Sequence, residues 1–420
     1  MRAPYFDTAA PVADALEKAR RAVLMAAFLG WMFDGVEMGV VSIVARPAMQ
    51  DLLGAGSDQQ VGPWIAKVTA LFLLGAASGG LVFGWLGDRI GRVRALIASI
   101  ITYSLFTGLT ALAVAPWHFG LFRFIAALGM GGEWSLGVAL VMECWPEKSR
   151  VWLAGAIGAA SNVGFALIAL VAMKFVATPQ TWRPFMLAGL APALLALYIQ
   201  SGVPESKRWQ DAVRERVAHP LREISRPPLL GVTLLAILMA SVALLGTWGS
   251  VQWIPSWVDK MTGGEMPEAK AVAQLVSSIG AIVGCFLGAW LASRVGRRPA
   301  YTTLCVLSLG LCAYLFRTFD HYSASFLVVV GLVGLVTASF YGWLPLYLPE
   351  LFPTRVRATG QGISFNFGRI LAAMGVLYTG ELVKLNGGSY ARAGAMISLV
   401  YIIGMVVVWF APETRGRELE

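Results

Sequence analysis

Residues 84–92 read Gly-Trp-Leu-Gly-Asp-Arg-Ile-Gly-Arg, and residues 289–297 read Ala-Trp-Leu-Ala-Ser-Arg-Val-Gly-Arg. Each stretch closes one long apolar run and opens the next, and the two stand 205 residues apart. Two more pairs recur at almost the same offset. Glu143-x-x-Pro146-x-x-x-Arg150 returns as Glu350-x-x-Pro353-x-x-x-Arg357 after 207 residues, and Pro204-Glu205-Ser206 returns as Pro412-Glu413-Thr414 after 208. Three matched signals at one spacing indicate an internal duplication.

Outward from these motifs, the chain divides into twelve apolar runs, each near the ~20 residues a membrane helix requires. Their limits are 22–45, 64–86, 95–115, 119–142, 152–176, 184–203, 229–257, 271–292, 300–318, 323–347, 358–381 and 391–411. They lack the in/out alternation of a membrane barrel, so helices are expected. Six spans per half put both copies the same way up, as parallel repeats. The expected organisation is a tail and six-helix bundle over residues 1–203, a linker over 204–228, and a second six-helix bundle with a short tail over 229–420.

Composition agrees. Hydrophobic residues make up 57% and charged residues 14% of the 420, against roughly 25% charged in soluble domains. With a mean hydropathy of +0.68, most of the surface must face lipid. Nucleic-acid binding is a poor account of the net charge of +9, because the basic residues follow topology. With the N-terminus inside, 22 of the 33 Lys and Arg fall in cytoplasmic segments, eight outside and three within spans. That excess orients a multi-pass protein with both termini cytoplasmic, in a cell (inner) membrane. The N-terminal stretch reads as a cytoplasmic tail entering span 1, not as a cleaved signal. Cys144, Cys285, Cys305 and Cys312 show no metal-ligand spacing, and His118, His219 and His321 are expected in loops. With no metal, cofactor or nucleophile constellation, an enzyme is not expected.

The motif Gly84-x-x-x-Asp88-Arg89-x-Gly91-Arg92-x-Arg94 resembles the loop between spans 2 and 3 of the major facilitator superfamily. Arg123-x-x-x-x-x-Gly129-x-Gly131 resembles its span 4 motif, and the Pro-Glu-Ser and Pro-Glu-Thr-Arg-Gly endings resemble one of its branches. Gly131-Gly132-Glu133-Trp134 and Asp34-Gly35-x-Glu37 are similar to its carboxylate:proton and aromatic-acid:proton symporters. Those often carry Asp-Gly-x-Asp in span 1, whereas the second acid here is Glu37. The second loop motif departs too, with Ser293 in place of Asp88. The resemblance covers the whole chain. It implies two bundles around a central cavity, alternating access and a monomer.

Six ionisable residues fall within the expected spans: Asp34, Glu37, Lys67, Arg123, Glu133 and Arg369. A charge at the bilayer centre costs about 2.5–3.5 kcal/mol on insertion scales, so each invites an explanation. Asp34 lies ~18 Å into span 1 at 1.5 Å per residue, and Glu37 follows on nearly the same face. Two such acids suit proton coupling; a carboxylate locked to an arginine is the alternative. Glu133 in span 4 is a candidate second proton site, or a fixed partner of Arg123. Arg369 stays charged and forks onto carboxylates, and relatives that carry organic anions often place an arginine here. It is therefore the expected anchor for a substrate anion, unless Asp34 or Glu133 occupies it. Asn366 and Lys67 are candidate substrate contacts, with helix packing and snorkelling to the interface as their alternatives. Trp31 and Tyr341 are candidates for the cavity wall. Asp88, with Arg89, Arg92 and Arg150, is the expected latch holding the bundles together at the cytoplasmic face.

The expected function is proton-coupled symport of a small organic anion, such as a monocarboxylate, across the bilayer. A proton moving with an anion cancels its charge against the membrane potential. A uniporter or exchanger of sugars or organic cations would instead grip its substrate with the acids. A receptor or scaffold would need an appended soluble domain, for which the linker and tail leave no room.

Overall fold

In lipid every backbone N–H and C=O must be satisfied within the protein, which leaves a strongly apolar chain with helices. The computed structural model describes residues 9–54, 56, 58–175, 177–215, 219–263, 265–386 and 389–416. Among these there is no strand. Twelve spans form two six-helix bundles.

Span 1 is Ala9–Leu53, span 2 Asp58–Ile90, span 3 Arg92–Thr110, span 4 Pro116–Cys144 and span 5 Arg150–Ala172. Span 6 is broken into Trp182–Ala188 and Ala193–Gly202. Span 7 is Leu229–Gly249, span 8 Pro267–Val295, span 9 Arg297–Thr318, span 10 Ala324–Leu351 and span 11 Arg357–Leu385. Span 12 is broken into Tyr390–Ile397 and Val400–Val407. Among the described residues, eleven helices are long and apolar enough to cross a membrane. Span 11 is long enough at 29 residues but is not one of them. It carries Arg357, Gln361, Asn366 and Arg369, which lower its hydropathy.

Several limits differ from the sequence reading. Span 1 starts at Ala9, because the charged tail continues the helix beyond the apolar run. Span 7 stops at Gly249 and turns through Val251–Trp253 into a short helix, Ile254–Met261. Pro255 sits in that helix's first turn, where its missing N–H costs nothing. The linker holds two short helices, Lys207–Glu215 and Pro220–Ile224. His118 lies in the first turn of span 4, not in a loop.

The three repeated motifs meet in space, once per bundle. Glu205 accepts from the backbone amides of Arg92 (3.0 Å) and Val93 (3.1 Å), which open span 3. Glu413 does the same for Arg297 (3.0 Å) and Arg298 (3.1 Å), which open span 9. The Pro-Glu endings are therefore caps, each placing a carboxylate on two orphan amides at the positive end of a helix dipole. Arg92 donates to Glu143 (3.1 Å) and to the Gly87 carbonyl (2.8 Å). Arg297 donates to Glu350 (2.7 Å) and to the Ala292 carbonyl (2.9 Å).

Gly91 and Gly296, at the head of spans 3 and 9, have φ of 111° and 99°. Side chains strain there at a cost of about 1–3 kcal/mol. A methyl on Gly91 would also overlap the Glu205 carboxylate, whereas at Gly296 the nearest Glu413 oxygen stands 3.0 Å away. Gly91→Ala is therefore expected to lower the thermal unfolding midpoint in detergent further than Gly296→Ala. Equal shifts would show that Glu205 moves aside without cost.

The bundles meet mainly through spans 2 and 11 and spans 5 and 8. At the end carrying the arginine-rich loops, called here the basic end, Asp88 joins the halves. It accepts from the amides of Ala358 (3.3 Å) and Thr359 (2.8 Å), from the Thr359 hydroxyl (2.5 Å) and from Arg92 (2.6 Å). Arg92 reaches the Thr354 carbonyl at 2.7 Å. Glu143 accepts from both Arg92 and Arg357 at 3.1 Å. Among the described residues Ser293, the counterpart of Asp88, bonds only to Trp290 one turn back in its own helix (2.7 Å). The departure between the two loop motifs thus marks the bundle that reaches across.

Candidate functional site

Spans 1 and 7 make no extensive contact. A cavity opens between the bundles from mid-span toward the end opposite the basic one. Its lining runs from Phe365 and Arg369 in span 11 to Val251 and Gln252, just past span 7. The cavity measures about 80 Å³, well below the ~300 Å³ at which ligand pockets usually begin. It must widen to take an organic substrate. A larger cleft of about 850 Å³ lies at the basic end, between the linker and the turns after spans 10 and 12. It holds none of the mid-span charges, so the smaller cavity is the candidate site.

Aromatic rings form its floor. Trp134 of span 4 stacks on Phe365 of span 11 at 4.0 Å and 16°. Trp31 of span 1 stands against both rings, at 6.4 and 6.3 Å. Tyr341 meets Phe365 edge-on at 6.4 Å. The Trp134–Phe365 stack joins the two bundles.

Arg369 rests its guanidinium carbon 5.3 Å from the centre of the Phe365 ring. It is 4% exposed, lines the cavity, and has no hydrogen bond or ion pair among the described residues. Its electrostatic neighbours are Asp34 and Tyr341. A buried guanidinium with five unspent N–H donors is a ready site for a planar anion.

Asp34 is fully buried, and neither carboxyl oxygen has a hydrogen-bond donor. Glu133 is buried in the same state. Its carboxyl fits against Gly30, where any side chain would collide with it. Asp34 and Glu133 lie within hydrogen-bonding reach of each other. A hydrogen bond between two carboxyls needs a proton on one of them.

Glu37 does not join that pair. It is held by Arg123 in a close ion pair and accepts from the Thr107 hydroxyl at 2.6 Å. Arg123 therefore answers Glu37, not Glu133, because span 4 brings it level with Glu37, ten residues before Glu133.

Of the other expected site residues, Trp31 and Tyr341 line the cavity. Asn366 lies outside the lining, donating to the carbonyls of Gly131 (2.9 Å) and Gly362 (3.0 Å) as a bond between spans 11 and 4. Lys67 is exposed, its ammonium 4.7 Å over the Trp64 ring, and is not in the lining either. In the loop network Asp88 and Arg92 are central, whereas Arg89 is exposed and stacks on Trp85 at 5.1 Å. Arg150 is buried at 3.5 Å from Glu147.

The sequence reading missed one wall. Gln274, Ser277, Ser278 and Ala281 line the cavity from span 8. Their spacing of i, i+3, i+4 and i+7 is one helix face, polar at Gln274, Ser277 and Ser278, that was there to be read. Gln274 donates to Ser278 at 3.2 Å, and Asn162 and Thr247 face the same space.

The Major Facilitator Superfamily profile matches residues 22–376. The chain is 28% identical to the cis,cis-muconate transport protein of Acinetobacter baylyi, covering 82% of this chain and 84% of that protein. It is 28% identical to the gentisate transporter of Corynebacterium glutamicum, covering 87% and 82%. Among solved structures, the proton:xylose symporter XylE superposes with a TM-score of 0.78 at 18% identity, covering 96% of this chain and 98% of that one.

Proposed function

Because the chain belongs to the Major Facilitator Superfamily, we propose that it is a secondary active transporter carrying a small organic acid, as its anion, together with protons. The observation that carries this reading is Arg369, a buried cation with no hydrogen-bonded or ion-paired partner among the described residues, facing the cavity between the bundles. The muconate and gentisate relatives fit the same class of substrate. A sugar or organic-cation carrier would leave the arginine's charge unanswered.

Coupling follows from competition. Asp34 and the substrate carboxylate are rival partners for one guanidinium. A proton on Asp34 releases Arg369 to the substrate, and loss of that proton returns it. Proton and anion thus bind and leave together, and their charges cancel against the membrane potential. Glu133 holds the second position for the same proton. Tyr341, at the cavity wall, offers an aromatic surface for the apolar body of such an acid.

The excess of Lys and Arg at the basic end assigns that end to the cytoplasm, with both termini. The chain is then a monomeric inner-membrane protein captured open to the outside and latched inside through Asp88. Asp88→Asn removes a charged acceptor from four donors. Contacts to a charged group are worth about 1.5–3 kcal/mol, enough to shift a two-state population severalfold or more. Cysteine labelling at the basic end should rise accordingly; an unchanged pattern would remove the latch from the mechanism.

The function is tested by uptake into proteoliposomes under an imposed pH gradient, using muconate, gentisate, niacin and its neutral amide. Acid-selective accumulation that collapses with the pH gradient is expected. Accumulation of none of the acids, or of the amide equally, overturns the reading.

A further inference from the structure

The larger cleft, at the basic end, lies apart from Arg369 and its cavity. Its volume of about 850 Å³ falls within the ~300–1,000 Å³ usual for ligand sites. One wall is the linker, from His219 through the helix Pro220–Ile224 to the head of span 7. The other is the turn after span 10, with Pro412 and Thr414 past span 12.

Contacts within the protein tie these walls together. Arg355 of the turn donates to Glu223 of the linker helix at 2.8 Å. Glu350 is held by Arg297 (2.7 and 3.0 Å) and by the Thr414 hydroxyl (2.5 Å). Both acids in the lining are thus answered. Arg222 and Arg226 are not. Each is exposed, lines the cleft, and has no side-chain hydrogen bond or ion pair among the described residues. The orientation of a membrane protein asks only for positive charge at this end. It does not ask for two arginines converging on one cleft.

Much of the remaining lining is proline, leucine, valine and phenylalanine. Leu229 and Val232 bring the first turn of span 7 into it. Beside them on the same helix Leu230, Leu234 and Leu238 are exposed, at i, i+4 and i+8. On a membrane span such a stripe faces acyl chains. The apolar wall therefore continues from the cleft along span 7 into the bilayer. An occupant that uses both features has an anionic head and an apolar tail.

We propose that the cleft binds an acidic phospholipid, with its phosphate on Arg222 and Arg226 and an acyl chain along span 7. The guanidinium fork matches two phosphate oxygens, and acidic lipids give the cytoplasmic leaflet its negative potential. The site is independent of the transported acid and of proton coupling. It uses the proposed orientation of the chain only to name the leaflet.

The test is the thermal unfolding midpoint of the whole protein in neutral detergent, titrated with short-chain phosphatidylglycerol. Phosphatidylcholine of the same chains and glycerol 3-phosphate are the comparison probes. Phosphatidylglycerol should stabilise saturably and more tightly than either. The double variant Arg222→Gln, Arg226→Gln should weaken that binding about tenfold or more. A control, Arg214→Gln with Arg294→Gln, removes two exposed arginines at the same end that lie outside the lining. It should stay within about twofold of wild type. Equal weakening by both doubles would reduce the effect to general attraction by a basic face and overturn the site. Phosphatidylcholine binding as tightly would show that the head charge is not read, and would overturn it too. Glycerol 3-phosphate binding as tightly would make the occupant a soluble anion and overturn the lipid.

Discussion

Arg369→Ala is expected to abolish the preference for an acid over its neutral amide. Three features set the size of the effect. The guanidinium is buried, so its bond to a carboxylate is screened little by water. It has no hydrogen-bonded or ion-paired partner among the described residues, so binding need not first break an existing ion pair. Its planar fork matches a carboxylate at two points. Removing one member of a buried, hydrogen-bonded charge pair costs about 2–5 kcal/mol, or roughly thirtyfold to several thousandfold in Kd at 1.4 kcal/mol per decade. Arg369→Lys keeps the charge but loses the fork, and should fall between wild type and alanine. Calorimetry with niacin and its amide reads this directly. If Arg369→Ala still discriminates acid from amide, the anchor lies elsewhere on the cavity wall.

Asp34→Asn should separate transport from the proton gradient. At equilibrium an electroneutral one-for-one symporter turns a one-unit pH gradient into about tenfold accumulation. The asparagine cannot take up the proton, and accumulation should fall to about onefold. Exchange of labelled for unlabelled acid should persist, because Arg369 remains and has lost its rival. Asp34→Asn that still accumulates acid against its gradient would move the proton to Glu133, and Glu133→Gln is then the variant that must fail. The two variants differ in kind: one loses binding, the other keeps binding and loses the energy source.

The latch illustrates how far the sequence could be read. That Asp88 is an acceptor for helix amides and arginines follows from its charge and its place among Arg89, Arg92 and Arg94. Which arginines answer it did not follow. Arg92 turns inward to Asp88 and Glu143 and Arg89 outward onto Trp85, although they are three residues apart. The terminal Pro-Glu pairs were legible as a repeat but not as caps, because their targets lie more than a hundred residues away.

The sequence by itself determined the twelve spans, the duplication and the short inventory of charges that lipid makes costly. These depend on local apolar length and on residue identity, which neighbours in space do not alter. The tertiary structure alone decided how the charges pair: Glu37 to Arg123, Asp34 beside Glu133, Arg369 facing the cavity, and Lys67 and Asn366 outside its lining. The physical reason is the rotation of each helix about its own axis. In a soluble helix one apolar stripe sets that rotation, but these spans are apolar on nearly every side. What turns them is packing against helices distant in the chain. Gly30 receives Glu133 in one such contact, and in another span 11 turns Asn366 to the Gly131 carbonyl and leaves Arg369, three residues on, in the open cavity.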